Sequence, residues 1–335
     1  MLRRIERVVD LLDPHLNQIH NVSVADARRS GAIPLVLGPT GAGKTDLALR
    51  LAERHDLEIV SVDSAMVYRG MDIGTGKPSP EVLRRHPHHL VDILDPLQAY
   101  SAGQFVRDAR QAIDEIRARG KLPLLVGGTM LYFRALRRGL ADMPAANPVV
   151  RAAIDAEAAL RGWPALHAEL AALDPVAAKR IQRNDAQRIQ RALEVHRLTG
   201  KTLTELHATP TTNADLTFAA YAWVPSDRER LYAAIEQRFH AMMHAGLLTE
   251  VRKLYARGDL NADLPAIRAV GYRQLWEHLS GRDTLDSAIQ RAIFATRHLA
   301  RRQLIWLRAE PEIRWLDALD SSAAAHMEHA ITQLQ

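Results

Sequence analysis

Short apolar runs alternate with longer amphipathic segments in the first third of the chain. The runs IPLVLG (33–38), LEIVSVD (57–63) and KLPLLVGGT (121–129) are rich in Val, Ile and Leu, which predicts three buried strands. Residues 101–119, before the third run, are predicted to form a helix that Ser101 can cap. Strands of this kind alternating with helices indicate a parallel sheet that helices cover on both faces.

The pattern becomes mostly helical from about Met143. The Pro- and Ala-rich stretch ADMPAANP (141–148) is predicted to be a hinge, and a helical pattern follows it. ATPTTNAD (208–215) is predicted to be the linker that leads back to the first part of the chain. The strand-like run LTFAAYAWVP (216–225) is expected to rejoin the sheet, and helices are expected from there to the end of the chain.

These boundaries predict an α/β core that is interrupted by a helical insertion. The core is expected to comprise residues 31–142 and 209–320, with helices in its C-terminal part, and the insertion is expected to comprise residues 143–208. Residues 1–30 lie outside the pattern and are expected to form an N-terminal extension that is weakly helical or disordered.

Composition narrows the class of protein without naming a function. Of 335 residues, 47% are hydrophobic and 25% are charged, as in ordinary soluble globular proteins. No apolar run approaches the length that a membrane-spanning helix needs, and the N-terminus lacks the apolar core of a secretion signal. Cys is absent, which excludes disulfides, thiolate zinc sites and a Cys nucleophile. We therefore expect a cytoplasmic protein.

Positive charge is concentrated near the C-terminus. The whole chain carries a formal charge of +5, and the segment from Arg268 to Arg308 alone holds eight arginines, no lysine and three acidic residues. Arginine is favoured where planar phosphate or base groups are recognised. A solvated helix face would have the same composition, so charge alone does not separate the two interpretations.

The stretch GPTGAGKT (38–45) fits the phosphate-loop pattern G-x-x-x-x-G-K-[ST] between a predicted strand and a predicted helix. Lys44 would neutralise the outer phosphate, and the Thr45 hydroxyl would help to hold Mg²⁺. Asp63 and the Gly-Gly-Thr at 127–129 also follow predicted strands, so these motifs should meet in one cleft at the carboxyl ends of the strands. The sequence therefore predicts a P-loop NTPase-like core that binds a chain of phosphates.

Nucleotide hydrolysis needs more than this loop. An NTPase also needs an acid on a neighbouring strand for Mg²⁺ and a group that orients the attacking water. The central run PLLVGGT ends without a carboxylate, which leaves Asp63 as the candidate. Asp63 could be the magnesium acid or a base beside the phosphates, and spacing does not decide between them.

The phosphate loop is the first of seven characteristic segments that follow in order along the chain. They are GPTGAGKT (38–45), SVDSAMVYRGMDIGTGKP (61–78), HHLVDILDP (88–96), LLVGGTMLYFRAL (124–136), NDAQRIQRALEV (184–195), AIRAVGYRQLW (266–276) and RRQLIWLR (301–308). Together they resemble the tRNA dimethylallyltransferases, the bacterial tRNA prenyltransferases. The resemblance implies transfer of a dimethylallyl group from its diphosphate to the exocyclic amine of the adenine just 3′ of the anticodon, in tRNAs that read codons beginning with U.

The resemblance also implies roles for particular residues. Diphosphate would be bound by Gly38, Pro39, Thr40, Gly41, Ala42, Gly43, Lys44, Thr45 and Arg238, with Mg²⁺ at Thr45. Asp63 would be the catalytic base, and Thr40, Lys44 and Arg238 would complete the catalytic set. The implied partners are tRNA, through its anticodon stem-loop, and dimethylallyl diphosphate, with a monomeric enzyme and no membrane.

The implied tRNA contacts form groups along the chain. They are Asp63, Ser64, Ala65, Met66, Thr129, Arg151, Gln187, Arg188, Ile189, Gln190, Arg191, Arg268, Ala269, Val270, Gly271, Tyr272, Arg273, Arg301, Arg302, Gln303, Leu304, Ile305, Trp306, Leu307 and Arg308. Tyr272 is expected to stack on a base. Arg297, Arg301 and Arg308 would project within about 40° of each other on a helix, where a solvated stripe is the alternative interpretation.

Other functions fit parts of this pattern. An adenylate isopentenyltransferase would prenylate free nucleotide, and a P-loop small-molecule kinase would use ATP without any prenyl diphosphate. A nucleic-acid-binding module with a merely structural loop would bind tRNA without turnover. His86, His88 and His89 raise the possibility of a metal site, but side chains so crowded on a loop seldom surround one ion.

Overall fold

The computed structural model describes residues 31–139, 141, 143–208 and 215–334. The predicted N-terminal extension (1–30) and nearly all of the predicted linker (208–215) lie outside the described residues.

Parallel strands form the centre of the described structure. They are β1 (Ile33–Leu37), β2 (Leu57–Val62), β3 (His88–His89), β4 (Leu122–Gly127), β5 (Phe218–Val224) and β6 (Arg314–Asp317). They make one sheet in the order β3-β2-β4-β1-β5-β6, and each pairing between them is parallel. The order places β2, β4 and β1 side by side. The phosphate loop, Asp63 and Gly-Gly-Thr follow the C-terminal ends of these strands, so they lie at the same end of the sheet.

Helices connect and cover these strands. They are α1 (Lys44–Arg54), α2 (Pro80–Arg85), α3 (Ala102–Ala118), α4 (Met130–Arg138), α5 (Pro148–Arg161), α6 (Trp163–Leu173), α7 (Pro175–Arg180), α8 (Ala186–Thr199), α9 (Leu203–Ala208), α10 (Arg228–His244), α11 (Leu247–Tyr255), α12 (Tyr272–Leu279), α13 (Leu285–Arg308) and α14 (Ala323–Thr332).

Successive residues of each strand point to opposite faces of the sheet. On one face Leu35 packs in a cluster with Phe105 of α3 and Phe133 of α4. On the other face Val36 packs in a cluster with Leu51 of α1 and with residues of α10 and α14. Because both faces are covered by apolar side chains, the predicted α/β fold with a parallel sheet between helices is confirmed.

The prediction of helices alone after residue 225 was wrong, because β6 lies between α13 and α14. This strand has only the residues RWLD, and all of them are half-buried. It pairs with β5 alone, at the edge of the sheet. A four-residue edge strand carries no alternation that distinguishes it from a helix end. The two-residue strand β3 (His88–His89) was missed for the same reason.

The described chain divides into two compact units. One comprises the residues up to Arg137 together with those from Asp215 onward, and the other comprises residues 138–214. The first unit, which we call the core unit, contains the sheet and a separate apolar cluster formed by α10 to α13. The second unit is helical, and its core contains Ile154, Leu166 and Ile189. None of the helices in the described part of the chain is both long and apolar enough to cross a membrane.

Candidate active site

The phosphate loop follows β1 and leads directly into α1. Gly41 and Gly43 have φ values of 82° and 80°, a left-handed conformation that side chains other than Gly adopt at a cost. Lys44 is the first residue of α1, and its Nζ donates a hydrogen bond to the carbonyl of Pro39 across the loop, at 2.7 Å. The loop therefore has its backbone folded around the start of a helix, where N–H groups are available to an anion.

Two half-buried cations, Lys44 and Arg238, face the cavity in front of this loop. Burial, the nearby Arg238 charge and the opposing effect of Asp63 together bring the pKa of Lys44 down to about 8. Burial also lowers the pKa of Arg238, against the attraction of Asp63 and Asp46. Among the described residues no carboxylate forms an ion pair with Lys44 or Arg238. Two like charges that are partly desolvated and lack such a partner raise each other's energy, and an anion bound between them would lower it.

The loop that contains GTGKP closes the cavity on the side of Arg238. Thr75, Gly76 and Lys77 line the cavity. Gly76 lies so close to Arg238 that a Cβ at this position would overlap the guanidinium group. The sequence predicts no role for this segment, because its contact with a helix far along the chain leaves no local signal.

Asp63 follows β2 and is held by the backbone just beyond it. Its Oδ1 accepts hydrogen bonds from the backbone N–H groups of Ala65, at 2.7 Å, and Met66, at 3.2 Å. Its Oδ2 has no hydrogen-bond partner among the described residues. Beside it, the Thr129 hydroxyl oxygen accepts a hydrogen bond from the N–H of Ser64, at 3.1 Å. The carboxylate is thus oriented through one oxygen and free to accept a proton through the other.

Gln303 joins the segments that follow the neighbouring strands β1 and β4. Its Oε1 accepts a hydrogen bond from the N–H of Thr40, at 2.9 Å, and its Nε2 donates to the carbonyl of Gly128, at 2.8 Å. The side chain is buried in the core unit. Gln303 thereby fixes the phosphate loop against the Gly-Gly-Thr segment. It also lines the cavities in front of this loop, and its role as an RNA contact stays a prediction.

Two cavities adjoin at Asp63. The first has a volume of about 480 Å³ and is lined by the phosphate loop, Arg238 and apolar side chains of α1, β2 and β4. The second has a volume of about 470 Å³ and is lined by Thr129, Leu131, Trp306 and residues 268–270. The residues common to both are Thr40, Gly41, Asp63, Thr75, Gly128, Arg238 and Gln303. The arrangement offers an anion site with apolar side chains on one side of Asp63 and a second cavity, lined by Arg268 and Arg302, on the other.

Several predicted RNA contacts of the core unit lie around the second cavity. Arg268, Ala269, Val270 and Arg302 line it, as do Ser64 and Ala65, while Met66 lines the first cavity. Arg301 and Arg308 are exposed on α13 and have no ion-pair partner among the described residues. Ile305 is also exposed, Leu304 is half-buried, and Trp306 stacks against the Arg134 guanidinium, 4.3 Å from the ring centre.

Other predicted contacts are occupied within the protein. Tyr272 and Leu307 are fully buried, and Gly271 is buried as well. The expectation that Tyr272 stacks on a base is therefore wrong, because its ring is enclosed in the core. Arg273 is exposed but pairs with Glu277 of the next helical turn, at 3.3 Å. The helical period alone could not separate the buried and exposed sides of this short segment.

The helical unit holds its own predicted contacts differently. Glu194 is buried and accepts hydrogen bonds from Arg151, at 2.9 Å, and from Arg191, at 2.7 Å. These bonds outweigh burial and lower the pKa of Glu194. Gln187 and Arg188 are exposed near the start of α8, and Gln190 donates to Asp155. The side chain of Ile189 is buried, which corrects its predicted role as an RNA contact.

The histidines near the sheet edge take part in local hydrogen bonds. The Nε2 of His89 lies 2.7 Å from Oε2 of Glu58, and the Nδ1 of His88 lies 2.7 Å from the carbonyl oxygen of His86. Within the described ranges no three His, Asp or Glu side chains are grouped as ligands of a metal ion would be.

The sequence is similar to those of known proteins over most of its length. The model of the IPP transferase family matches residues 66–310, and that of the isopentenyl transferase family matches residues 31–91. A tRNA dimethylallyltransferase of Bordetella petrii is 54% identical over 310 residues, which cover 91% of this chain and 99% of that protein. The chain belongs to the tRNA dimethylallyltransferase family. Another member, from Paraburkholderia phymatum, is 55% identical over 306 residues, covering 90% of this chain and 96% of that protein.

Solved structures agree with this membership of the tRNA dimethylallyltransferases. The tRNA isopentenylpyrophosphate transferase of Bacillus halodurans has a TM-score of 0.66 at 35% identity, over 90% of this chain and 96% of that one. A eukaryotic dimethylallyltransferase acting on tRNA has a TM-score of 0.74 at 25% identity, over 90% of this chain and 78% of that one. The predicted family and fold are therefore confirmed.

Proposed function

We propose that the protein transfers the dimethylallyl group of dimethylallyl diphosphate to the exocyclic amine of the adenine immediately 3′ of the anticodon, in tRNAs that read codons beginning with U. The observation that carries the proposal is the junction of the two cavities at Asp63. One cavity presents two half-buried cations beside apolar side chains, which suits a prenyl diphosphate. The other is lined by Arg268 and Arg302, which suits an RNA base and its phosphates.

The leaving group of this reaction is diphosphate, and its negative charge grows as the allylic C–O bond breaks. Lys44, Arg238 and the backbone N–H groups of the phosphate loop border the cavity where that charge would develop. Cations held in a site that excludes water stabilise developing charge more than they stabilise the intact ester. The same groups that bind the substrate thereby favour departure of its diphosphate.

The nucleophile is an aromatic amine whose lone pair is delocalised into the adenine ring. A carboxylate that accepts a hydrogen bond from the amine makes its attack easier, and then takes the proton as the nitrogen becomes cationic. Two contacts support this role for Asp63: its Oδ1 is held by two backbone N–H groups, while its Oδ2 has no partner among the described residues. We assign the proton to Oδ2.

Mg²⁺ is expected to accompany the diphosphate. This ion keeps several waters and binds substrate phosphates, and in phosphate-loop proteins the Ser or Thr that ends the loop is one of its ligands. The Thr45 hydroxyl lines the first cavity and fits such a ligand. When bound, Mg²⁺ would neutralise part of the diphosphate charge.

The RNA is expected to approach the second cavity as an anticodon stem-loop. A loop adenine must leave its stack to reach Asp63, which costs a few kcal/mol, less than extraction from a duplex. Arg268 and Arg302 line the opening, and Arg301 and Arg308 lie on the exposed side of the same helix as Arg302. The proposal has one chain acting as a monomer, in the cytoplasm.

Loss of Arg301 or Arg308 should weaken RNA binding with little effect on catalysis at saturating RNA. Each contact with a phosphate releases counterions, so each Ala variant should reduce the slope of log Kd against log salt by about 1. Binding of an anticodon stem-loop at several salt concentrations measures this. Arg54→Ala is the matched control, since Arg54 pairs with Glu328 at the far end of α1 from the phosphate loop. A salt slope equal to that of wild type would remove these arginines from the interface.

The affinity for prenyl diphosphate should fall as pH rises above about 8, the pKa of Lys44 in the free site. Below this pH the lysine already carries its charge, so affinity should be nearly constant. Above it, binding of the anion must be accompanied by uptake of a proton, and affinity should fall by up to about tenfold per pH unit. Titration with dimethylallyl diphosphate in the absence of RNA measures this. Lys44→Met should bind weakly and without this pH dependence; an equally steep profile in that variant would exclude Lys44 as its source.

The proposed function is tested with magnesium, radiolabelled dimethylallyl diphosphate and two acceptors, an unmodified anticodon stem-loop with consecutive adenines and free AMP. Label on the stem-loop alone, at the adenine 3′ of the anticodon, is the expected result. Label on AMP instead would indicate an adenylate isopentenyltransferase. No transfer to either, together with ATP-dependent phosphorylation of a small molecule, would indicate a kinase.

A further inference from the structure

Glu250 holds four hydrogen-bond donors that come from two separate parts of the core unit. Its carboxylate accepts from the backbone N–H groups of Asp72, at 2.9 Å, Ile73, at 2.8 Å, and Gly74, at 3.1 Å. It also accepts from the hydroxyl of Tyr272, at 2.6 Å. Glu250 lies on α11, and its single carboxylate thus satisfies four donors that would otherwise lack partners.

The three backbone donors belong to the loop that closes the first cavity. Directly after Gly74, the side chain of Thr75 and the backbone of Gly76 line that cavity, and Gly76 packs against the guanidinium of Arg238. The far end of the loop is fixed separately, because the Nζ of Lys77 is buried and donates to the carboxylate of Asp92 and the carbonyl of Tyr68, both outside the loop. The loop is therefore anchored on both sides of its contact with Arg238.

The fourth donor belongs to the wall of the second cavity. Tyr272 opens α12, immediately after residues 268–270, which line that cavity. Its ring packs on Gly74, where a Cβ would lie 2.6 Å from the ring carbons. Burial and the adjacent Glu250 charge raise the pKa of the Tyr272 hydroxyl, which therefore stays protonated and remains a donor. One carboxylate thus ties the diphosphate side of the site to its RNA side.

Arg238 needs such support. Its guanidinium has no carboxylate partner among the described residues, and the Lys44 charge repels it across the cavity. A long side chain in that position would move away unless packing opposed the repulsion. The backbone of Gly76 lies against it, and Glu250 fixes the loop that carries Gly76.

We propose that Glu250 is a positioning residue for the diphosphate site: through the 72–76 loop it holds Gly76 against Arg238. Through Tyr272 it also links this loop to residues 268–270, which line the second cavity. This inference rests on the proposed function only for the identity of the prenyl diphosphate. Its central claim, control of anion affinity by Glu250, concerns a site that inorganic diphosphate can probe alone.

The test compares Glu250→Gln and Tyr272→Phe with wild type. The amide of glutamine offers one acceptor oxygen and turns an N–H group toward the loop donors, so at least one of them loses its partner. Hydrogen bonds to charged groups are strong enough for a loss of about tenfold in diphosphate affinity in Glu250→Gln. Tyr272→Phe removes one bond and leaves the three loop bonds in place, so it should lose about threefold.

Calorimetric titration with inorganic diphosphate and magnesium at pH 7.5 measures these affinities. The KM for dimethylallyl diphosphate should rise in parallel, while the KM for the stem-loop should stay within about twofold of wild type in Glu250→Gln. Gly76→Ala, which displaces Arg238 directly, should lose at least as much diphosphate affinity as Glu250→Gln and provides a second route to the same result.

A merely structural role for Glu250 would give a different outcome. Glu58→Gln is the matched control, because Glu58 is another buried carboxylate of the core unit, bonded to Arg119 and His89 at the sheet edge. Glu58→Gln should lower the Tm but keep the full rise in Tm on addition of diphosphate, which reflects affinity. If Glu250→Gln behaves in the same way, the proposed positioning role is overturned.

The two proposals can fail separately. If wild type transfers label to the stem-loop and Glu250→Gln binds diphosphate as wild type does, the positioning role is wrong and the proposed function stands. If wild type transfers no label but Glu250→Gln still loses diphosphate affinity, the proposed function is wrong and the positioning role stands.

Discussion

Asp63→Asn is expected to lower kcat with a saturating anticodon stem-loop by about a thousandfold. General-base catalysis by a positioned side chain contributes about 10²- to 10⁴-fold, and the amide of asparagine cannot accept the proton from the amine. The local turn should survive, because the amide oxygen of asparagine can still accept from Ala65 and Met66. Removal of a negative charge beside the diphosphate site should leave the KM for dimethylallyl diphosphate unchanged or slightly lower.

Single-turnover prenylation with both substrates saturating measures this loss, and RNA binding by the same variant shows that the site is intact. Asp227→Asn is the matched control. The Oδ1 of Asp227 also accepts two backbone N–H bonds, from Glu229 at 2.8 Å and Arg230 at 3.2 Å, at the start of α10. It should retain wild-type activity. A loss below about tenfold in Asp63→Asn would transfer the role of base to another group.

The central strands and the phosphate loop were predictable because their signals are local. The runs at β1, β2 and β4 are buried throughout, apart from the first residue of β4, and such strands appear as continuous apolar segments. The loop is defined by glycines and by Lys44 within eight residues of sequence, since its backbone conformation sets the requirement. No comparable local signal exists for β6, which has four half-buried residues at a sheet edge.

The support around the site was not predictable because its partners are far apart in sequence. Glu250 accepts a hydrogen bond from a residue 178 positions earlier, and Gln303 one from a residue 263 positions earlier. Gln303 occurs in an arginine-rich helix, and its RNA contact was implied by the family resemblance alone. Tyr272 likewise lies between two exposed arginines, Arg268 and Arg273, but faces the core. Charge indicates the outer side of such a segment and gives no information about its inner contacts.

Arg238→Ala is expected to lower kcat/KM for dimethylallyl diphosphate by about 10²- to 10³-fold, the range for loss of one donor that stabilises developing charge. Part of this loss should appear in kcat, because the charge on diphosphate is larger in the transition state than in the ester. Arg238→Lys should recover only part of the activity, since an ammonium cannot grip two phosphate oxygens as a guanidinium does.

The control for Arg238 lies on the same helix. Arg230 is exposed near the start of α10 and pairs only loosely with Asp227, at 3.7 Å, so Arg230→Ala should keep wild-type kinetics. The Arg238 and Glu250 variants also test each other. If Glu250 acts through Arg238, then Glu250→Gln should cost little further diphosphate affinity once Arg238 is alanine, and the two losses should be strongly non-additive. Additive losses would show that Glu250 supports the diphosphate by a route that does not include Arg238.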